Sequence, residues 1–236
     1  MRSVLIAFVL AGSTLGLVSA SAWPSDEPVT ELAERVQAHY DQIQDFEADF
    51  TQRVIHRITR KTIEESGTVA FKRPGRMRWE YRDPEKLLVT DGTKSYFYVP
   101  EDRQVIVSDT PGGAMALAPD SPLSVIMGET RLLDAFEVSS SDSEPMVGGS
   151  VLRLVPQRPQ EDFEEAEIEV DPENGQVRRV SLLDHQGNRT EFLFQNIREN
   201  RGLSSSLFQF EIPPGVDMLV ASEGNPALQP DEENQR

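Results

Sequence analysis

Between Phe46 and Ile212 the chain repeats one pattern: short segments in which apolar and polar residues alternate, separated by turn-forming dipeptides. Period two sends successive side chains to opposite faces, so each segment predicts a half-buried strand. Phe46, Ala48 and Phe50 alternate with Glu47, Asp49 and Thr51, and that strand runs on through Val54. Further segments lie at 67–73, 76–82, 86–90, 94–99 and 104–108, then at 150–155, 163–170, 176–184 and 189–197. "LFQFEI" at 207–212 reads as a last strand. Asp91-Gly92, Asn174-Gly175 and Gln186-Gly187 are turn signals. Residues 56–65, "HRITRKTIEE", read as a loop or irregular hairpin connection.

Only two places depart from period two. From Thr30 to about Gln44, Leu32, Val36, Tyr40 and Ile43 recur at spacings of three and four. Thr30 is placed as an N-cap, with Glu31 and Glu34 at the positive end of an amphipathic helix. Later, "TPGGAMALAPDSPLSVIMGETRLLDAFEVSS" has Gly and Pro around two apolar clusters. Pro122 suits the first turn of a short helix carrying Leu123, Val125, Ile126 and Met127, and 130–135 suits another. These helices are too apolar to stand in water without covering something. The expectation is mainly β: about ten or eleven strands in one curled antiparallel sheet, its concave face covered by helices.

The first 22 residues read as a signal peptide: one positive charge (Arg2), an apolar run from Val4 to Leu10, and Ala20-Ser21-Ala22 as the cleavage pattern. Cleavage there starts the exported chain at Trp23, leaving a domain over 23–220 and a polar tail, 221–236, expected to be disordered. Cysteine is absent, so no thiol can serve as nucleophile, metal ligand or lipid attachment point. The formal charge is −17, from 40 acidic and 23 basic residues, and loss of Arg2 makes it one unit more negative. Such a field repels nucleic acid and anionic membrane surfaces, and no nucleic-acid partner is expected.

A search for chemistry returns little. His39, His56 and His185 have no metal-ligand spacing among them, so no metal or cofactor is expected. The common nucleotide, hydrolase and metalloprotease motifs do not occur. With so many acids, chance carboxylate pairs are inevitable, and none is marked as a general acid. No enzyme is expected.

One stretch stands out, "FKRPGRMRWEY" at 71–81. As a strand it puts Met77, Trp79 and Tyr81 on one face and Arg76, Arg78 and Glu80 on the other. Arg73 precedes Pro74, where a ladder must break. A guanidinium there could hold the unpaired carbonyls of a helix end and fasten a lid, or simply be a solvated turn residue. The residues alone leave both open.

This stretch, with Pro84, "LLVTDG" at 87–92, "YFYVP" at 96–100, "LFQFEIPPGV" at 207–216 and "YDQIQDFEADFTQRV" at 40–54, resembles the LolA family of periplasmic lipoprotein carriers. The resemblance spans roughly residues 30–220 and is loosest in the middle third. It implies an unclosed antiparallel β-barrel with a helical lid over an apolar cavity. It implies a soluble periplasmic monomer that takes acylated lipoproteins from an inner-membrane ABC transporter complex and hands them to an outer-membrane acceptor lipoprotein. The family's functional arginine falls on Arg73, implying a latch that ties the closed lid and yields when cargo enters. The family position four residues on, often aromatic, is Met77 here.

Candidate cavity residues from the sheet are Phe50, Val69, Phe71, Met77, Trp79 and Leu88; from the lid, Leu32, Val36, Met115, Leu117, Leu123, Ile126 and Met127. Plain core packing explains each as well. A rival reading is a periplasmic sensor of the same fold that binds mislocalised lipoprotein or a protein partner.

Overall fold

A computed structural model of the chain describes residues 28–109 and 121–221. The expected signal segment, Met115, Leu117 and all but the first residue of the expected tail lie outside them.

β1 (Asp45–Ile55), β2 (Thr62–Lys72), β3 (Arg76–Arg82), β4 (Glu85–Asp91), β5 (Ser95–Val99) and β6 (Gln104–Ser108) form one antiparallel meander. β7 (Phe136–Ser140), β8 (Ser150–Pro156), β9 (Glu165–Val170), β10 (Val177–Leu183) and β11 (Arg189–Glu199) form a second. The two meanders join where β11 pairs with β1, and β12 (Asp217–Val220) adds to β6 in parallel. The spatial order β12-β6-β5-β4-β3-β2-β1-β11-β10-β9-β8-β7 leaves β12 and β7 as edges, so this twelve-stranded barrel is unclosed.

Because β6 and β7 lie near opposite edges, the connection between them must traverse the sheet. It carries α2 (Pro122–Ile126) and α3 (Leu132–Ala135), which pack beside α1 (Val29–Asp41). Side chains from the three helices and from the inner face of the sheet make one buried apolar cluster.

Several boundaries differ from the sequence expectation. The helix starts at Val29 with Pro28, not Thr30, at the N-cap position, and no side chain caps it. Pro28 has a non-helical ψ of 128°, and its carbonyl accepts from the Glu31 and Leu32 amides (2.9 and 3.2 Å). The connection after β1 is only 56–61; strand pairing resumes at once with Ile55 opposite Thr62. β7 follows directly on α3 in a stretch expected to close the helical insert.

The largest correction concerns 207–212, which is not a strand. After β11, residues 200–216 form a strap across the convex face, with a 3₁₀ turn at Ser205–Phe208 over β3 and β4. Those strands already have a ladder partner on each side, so an alternating segment laid on their face cannot pair with them. The apolar phase of "LFQF" serves anchoring instead. Phe208 is fully buried, and the Phe210 ring lies 5.5 Å from Tyr96 and 5.6 Å from Tyr98. The outward cations of the 71–81 stretch hold this strap: Lys72 donates to the Leu203 carbonyl, Arg76 to Ser205 Oγ (3.3 Å) and Arg78 to the Leu207 carbonyl (3.2 Å). The true last strand, β12, forms once the strap has crossed to β6.

Candidate functional site: an apolar face closed by an arginine clasp

The inner face is aromatic at its centre. Trp79 of β3 meets Phe50 of β1 at 4.7 Å, Phe71 of β2 at 6.1 Å, and Phe192 and Phe194 of β11 at 5.4 and 6.3 Å between ring centroids. Phe50, Val69, Phe71, Met77, Trp79 and Leu88 all belong to the buried cluster. Facing them, Leu32 and Val36 of α1 and Leu123 and Ile126 of α2 are buried, and Met127 packs on the cluster partly buried. Phe192 and Phe194 are not among the candidate residues, although the alternation along 189–197 already places them on one face. Between lid and sheet, a cavity lined by Tyr40, Phe46, Ile126, Val177 and Phe194 measures about 10 Å³. That is at the threshold for a single water. Among the described residues, side chains of the helices and of the sheet pack directly against each other across this face.

Polar contacts hold α1 against the sheet. The Tyr40 hydroxyl accepts from the Val177 amide (2.9 Å), and Glu199 of β11 receives both His39 and Gln176 at 2.9 Å. Burial pushes the Tyr40 phenol well above its ordinary range, the Val177 bond opposing it. Burial also works against the Glu199 carboxylate, but its bonds from His39 and Gln176 hold it below the usual range. His39 is thus a structural tie between helix and strand. Gln37 reaches the other way, accepting from the Leu132 amide of α3 at 2.6 Å.

Arg73 sits where these parts converge, in the turn between β2 and β3. Its Nη2 donates to the Tyr40 carbonyl (2.5 Å), Nη1 to the Asp41 carbonyl (3.4 Å) and Nε to the Met127 carbonyl (3.1 Å). The first two are terminal carbonyls of α1, at the negative end of the helix dipole, the Tyr40 one also accepting from the Ile43 amide (3.2 Å); the third belongs to the C-cap residue of α2. One side chain therefore ties the C-terminal ends of α1 and α2 to the sheet. The guanidinium is bound to carbonyls and is not a freely solvated turn residue.

Gly128 makes room for it. A Cβ at Gly128 would stand 1.4 Å from Arg73 Nη2, and its φ of +70° already favours glycine. Beside the clasp is an open recess of about 610 Å³ that includes Gly75, Arg76, Asp91, Thr93 and Glu129. Burial raises the Glu129 carboxyl above its ordinary value against the pull of Arg73. Among the described residues no cluster of His, Asp and Glu has the arrangement of a metal site.

An unclosed β-barrel, helices laid over an apolar inner face and a single clasp on those helices define a class: lidded half-barrels that can cover apolar surface. Comparisons narrow it. Residues 41–211 match the family described as outer membrane lipoprotein carrier protein LolA. Outer-membrane lipoprotein carrier proteins of Dechloromonas aromatica and Bordetella avium are each 32% identical to the chain. The first alignment covers 76% of this chain and 86% of the relative, the second 86% and 95%. An uncharacterized conserved protein from Thermus thermophilus shares the fold at a TM-score of 0.51 and 11% identity, over 81% of this chain and 98% of that one. The chain belongs to the LolA family, whose carriers are periplasmic, non-enzymatic chaperones.

Proposed function

We propose that this protein carries acylated lipoproteins across the periplasm, receiving them from an inner-membrane ABC transporter and delivering them to an outer-membrane acceptor lipoprotein. Residues 1–22 act as the export signal and 23–220 as the carrier domain. The observation that carries this reading is the Arg73 clasp over a buried, largely apolar inner face.

The physics of the task explains the arrangement. Three acyl chains of about fifteen carbons, at ~0.8 kcal/mol per CH₂, represent on the order of 30 kcal/mol of gross burial. A carrier must cover much of that, yet release its cargo without ATP in the periplasm. In the closed state the aromatic floor around Trp79 and the lid residues Leu123, Ile126 and Met127 satisfy each other. Cargo enters only by prising them apart, which breaks the clasp. The cost of opening is subtracted from the binding free energy, so acyl chains are held strongly enough to cross water and weakly enough to leave.

The test is whether the purified exported protein releases a triacylated lipoprotein from inner-membrane vesicles bearing the matching transporter, as a soluble one-to-one complex. Such a complex, emptied by adding outer membranes that carry the acceptor, is the expected result. Failure of an active transporter to yield any soluble complex would contradict the carrier reading.

A further inference from the structure

The connection between β1 and β2 has no part in the lid. Residues 56–61 read His-Arg-Ile-Thr-Arg-Lys: three formal cations and no acid, in a chain of net charge −17. Every residue from 57 to 64 is exposed, and Ile58, at 85%, is the most exposed of the large apolar side chains among the described residues. Ile63, half-exposed at 51%, follows on β2.

The exposure is built into the turn. The His56 amide donates to the Lys61 carbonyl and the Arg60 amide to the His56 carbonyl, both at 2.9 Å, closing the loop on itself. The Arg57 amide donates to Asn188 Oδ1 (3.1 Å), and the Arg57 side chain lies over Gly187, where a Cβ would meet its Cδ at 2.6 Å. Arg60 takes a positive φ of 56°, which sharpens the turn. These contacts brace the base and leave Ile58 projecting.

We infer that this hairpin tip is a contact site for the anionic headgroups of a phospholipid surface. An exposed isoleucine with Arg57, Arg60 and Lys61 within three residues of it in the chain combines the two signals that weak membrane attachment requires, apolar insertion and attraction to phosphate. The size and shape fit a lipid surface better than a protein. Stable protein interfaces bury roughly 800 Å² per partner around an apolar core. A six-residue convex tip with one large apolar side chain offers far less, whereas a fluid headgroup layer closes around such a point. The acidic body is repelled by the same surface, so contact is confined to the tip, within a Debye length of about 8 Å. Attachment should therefore be brief and salt-sensitive. β1 has 11 residues, which separates the tip from the Arg73 end of the barrel by roughly 35 Å. A protein resting on its tip keeps the clasp clear of the lipid. The inference does not depend on the carrier reading, and its test involves no lipoprotein.

The exported protein would be co-sedimented with vesicles of phosphatidylcholine alone and of equal parts phosphatidylcholine and phosphatidylglycerol. We expect binding to the anionic vesicles only, weakened by salt. Arg60→Asn, which tolerates the positive φ, should weaken partitioning about fivefold. Ile58→Asp should weaken it about tenfold or more. Both positions are exposed, and circular dichroism would verify that each variant folds. No sedimentation with either vesicle, equal sedimentation with both, or variants that bind as the wild type does would overturn the inference. Vesicle binding unaffected by the variants, together with their loss of retention on immobilised polyglutamate, would reassign the tip to an acidic protein partner.

Discussion

Arg73 and Arg179 are both held by several oxygen atoms, and the kind of oxygen separates their roles. Arg73 binds neutral carbonyls at helix ends, which water can take over when the lid moves. Arg179, on the convex side of β10, is 3% exposed among Glu167, Glu169 and Glu191, with closest approaches of 3.5, 3.4 and 3.2 Å. Fully buried Glu169 also accepts from the amides of Met146, Val147 and Gly149, fixing the loop that covers the cluster. Removing the arginine takes its charge from fully buried Glu169 and leaves Glu167 and Glu191 with Arg189 and Arg53 alone, so Arg179→Met should lower stability by about 3–5 kcal/mol in urea unfolding. A change under about 1 kcal/mol would mean the cluster is solvated.

The carboxylates also set the acid limit. Burial opposes ionisation of Glu167, but bonds from Ser143 and Ser141 and the charges of Arg189 and Arg179 hold its pKa below the usual value. Glu199 is lowered similarly. A folded pKa below the unfolded one means the stabilisation is complete above the unfolded value of about 4.3 and is lost as pH falls through the lower folded value. The thermal midpoint should therefore vary little between pH 7 and 5 and fall below about pH 4. A midpoint that rises on acidification through that range would contradict the assignment.

Among the elements, the two principal lid helices are held differently. α1 is tied to the sheet through Tyr40, His39 and Arg73, while among the described residues the polar tie from α2 to the sheet is the Arg73–Met127 bond. α2 has five residues, too few to persist as a helix once lifted from the apolar face. It should be the element that opens. Amide exchange should be faster in 123–128 than in 32–40, and Arg73→Leu should widen the difference; equal exchange in the two helices would show the lid opening as one body. Much of this level was legible in the sequence. The period of α1, the strands from 46 to 108 and the Asp91-Gly92 turn follow from local alternation, because each strand pairs with its chain neighbour. The strap was not legible, because "LFQF" alternates like a strand, and only the finished ladder shows that β3 and β4, over which it lies, have no free edge. Arg73 stood out through its position before Pro74 and through family resemblance. The Arg179 cluster did not, since its glutamates occupy the phase normally given to solvent.

For the whole molecule, the two meanders explain how one sheet can both form a core and give it up. Joining them at β1 and β11 leaves β12 and β7 free at the edges, so the barrel need not break a ladder to widen. The lid crosses between the halves and is clasped at one end, with the basic tip at the opposite end of β1. A closed form that fills its own apolar face has a built-in cost of opening, and that cost, we propose, allows the cargo to leave. The most direct measurement is the fraction of soluble lipoprotein complex that transfers to acceptor-bearing outer membranes, for the wild type and for Arg73→Leu. Loss of the clasp lowers the cost of opening by about 1–3 kcal/mol, so the variant should hold lipoprotein more tightly and hand over at least several-fold less. Transfer as complete as that of the wild type, from an equally loaded complex, would contradict the account.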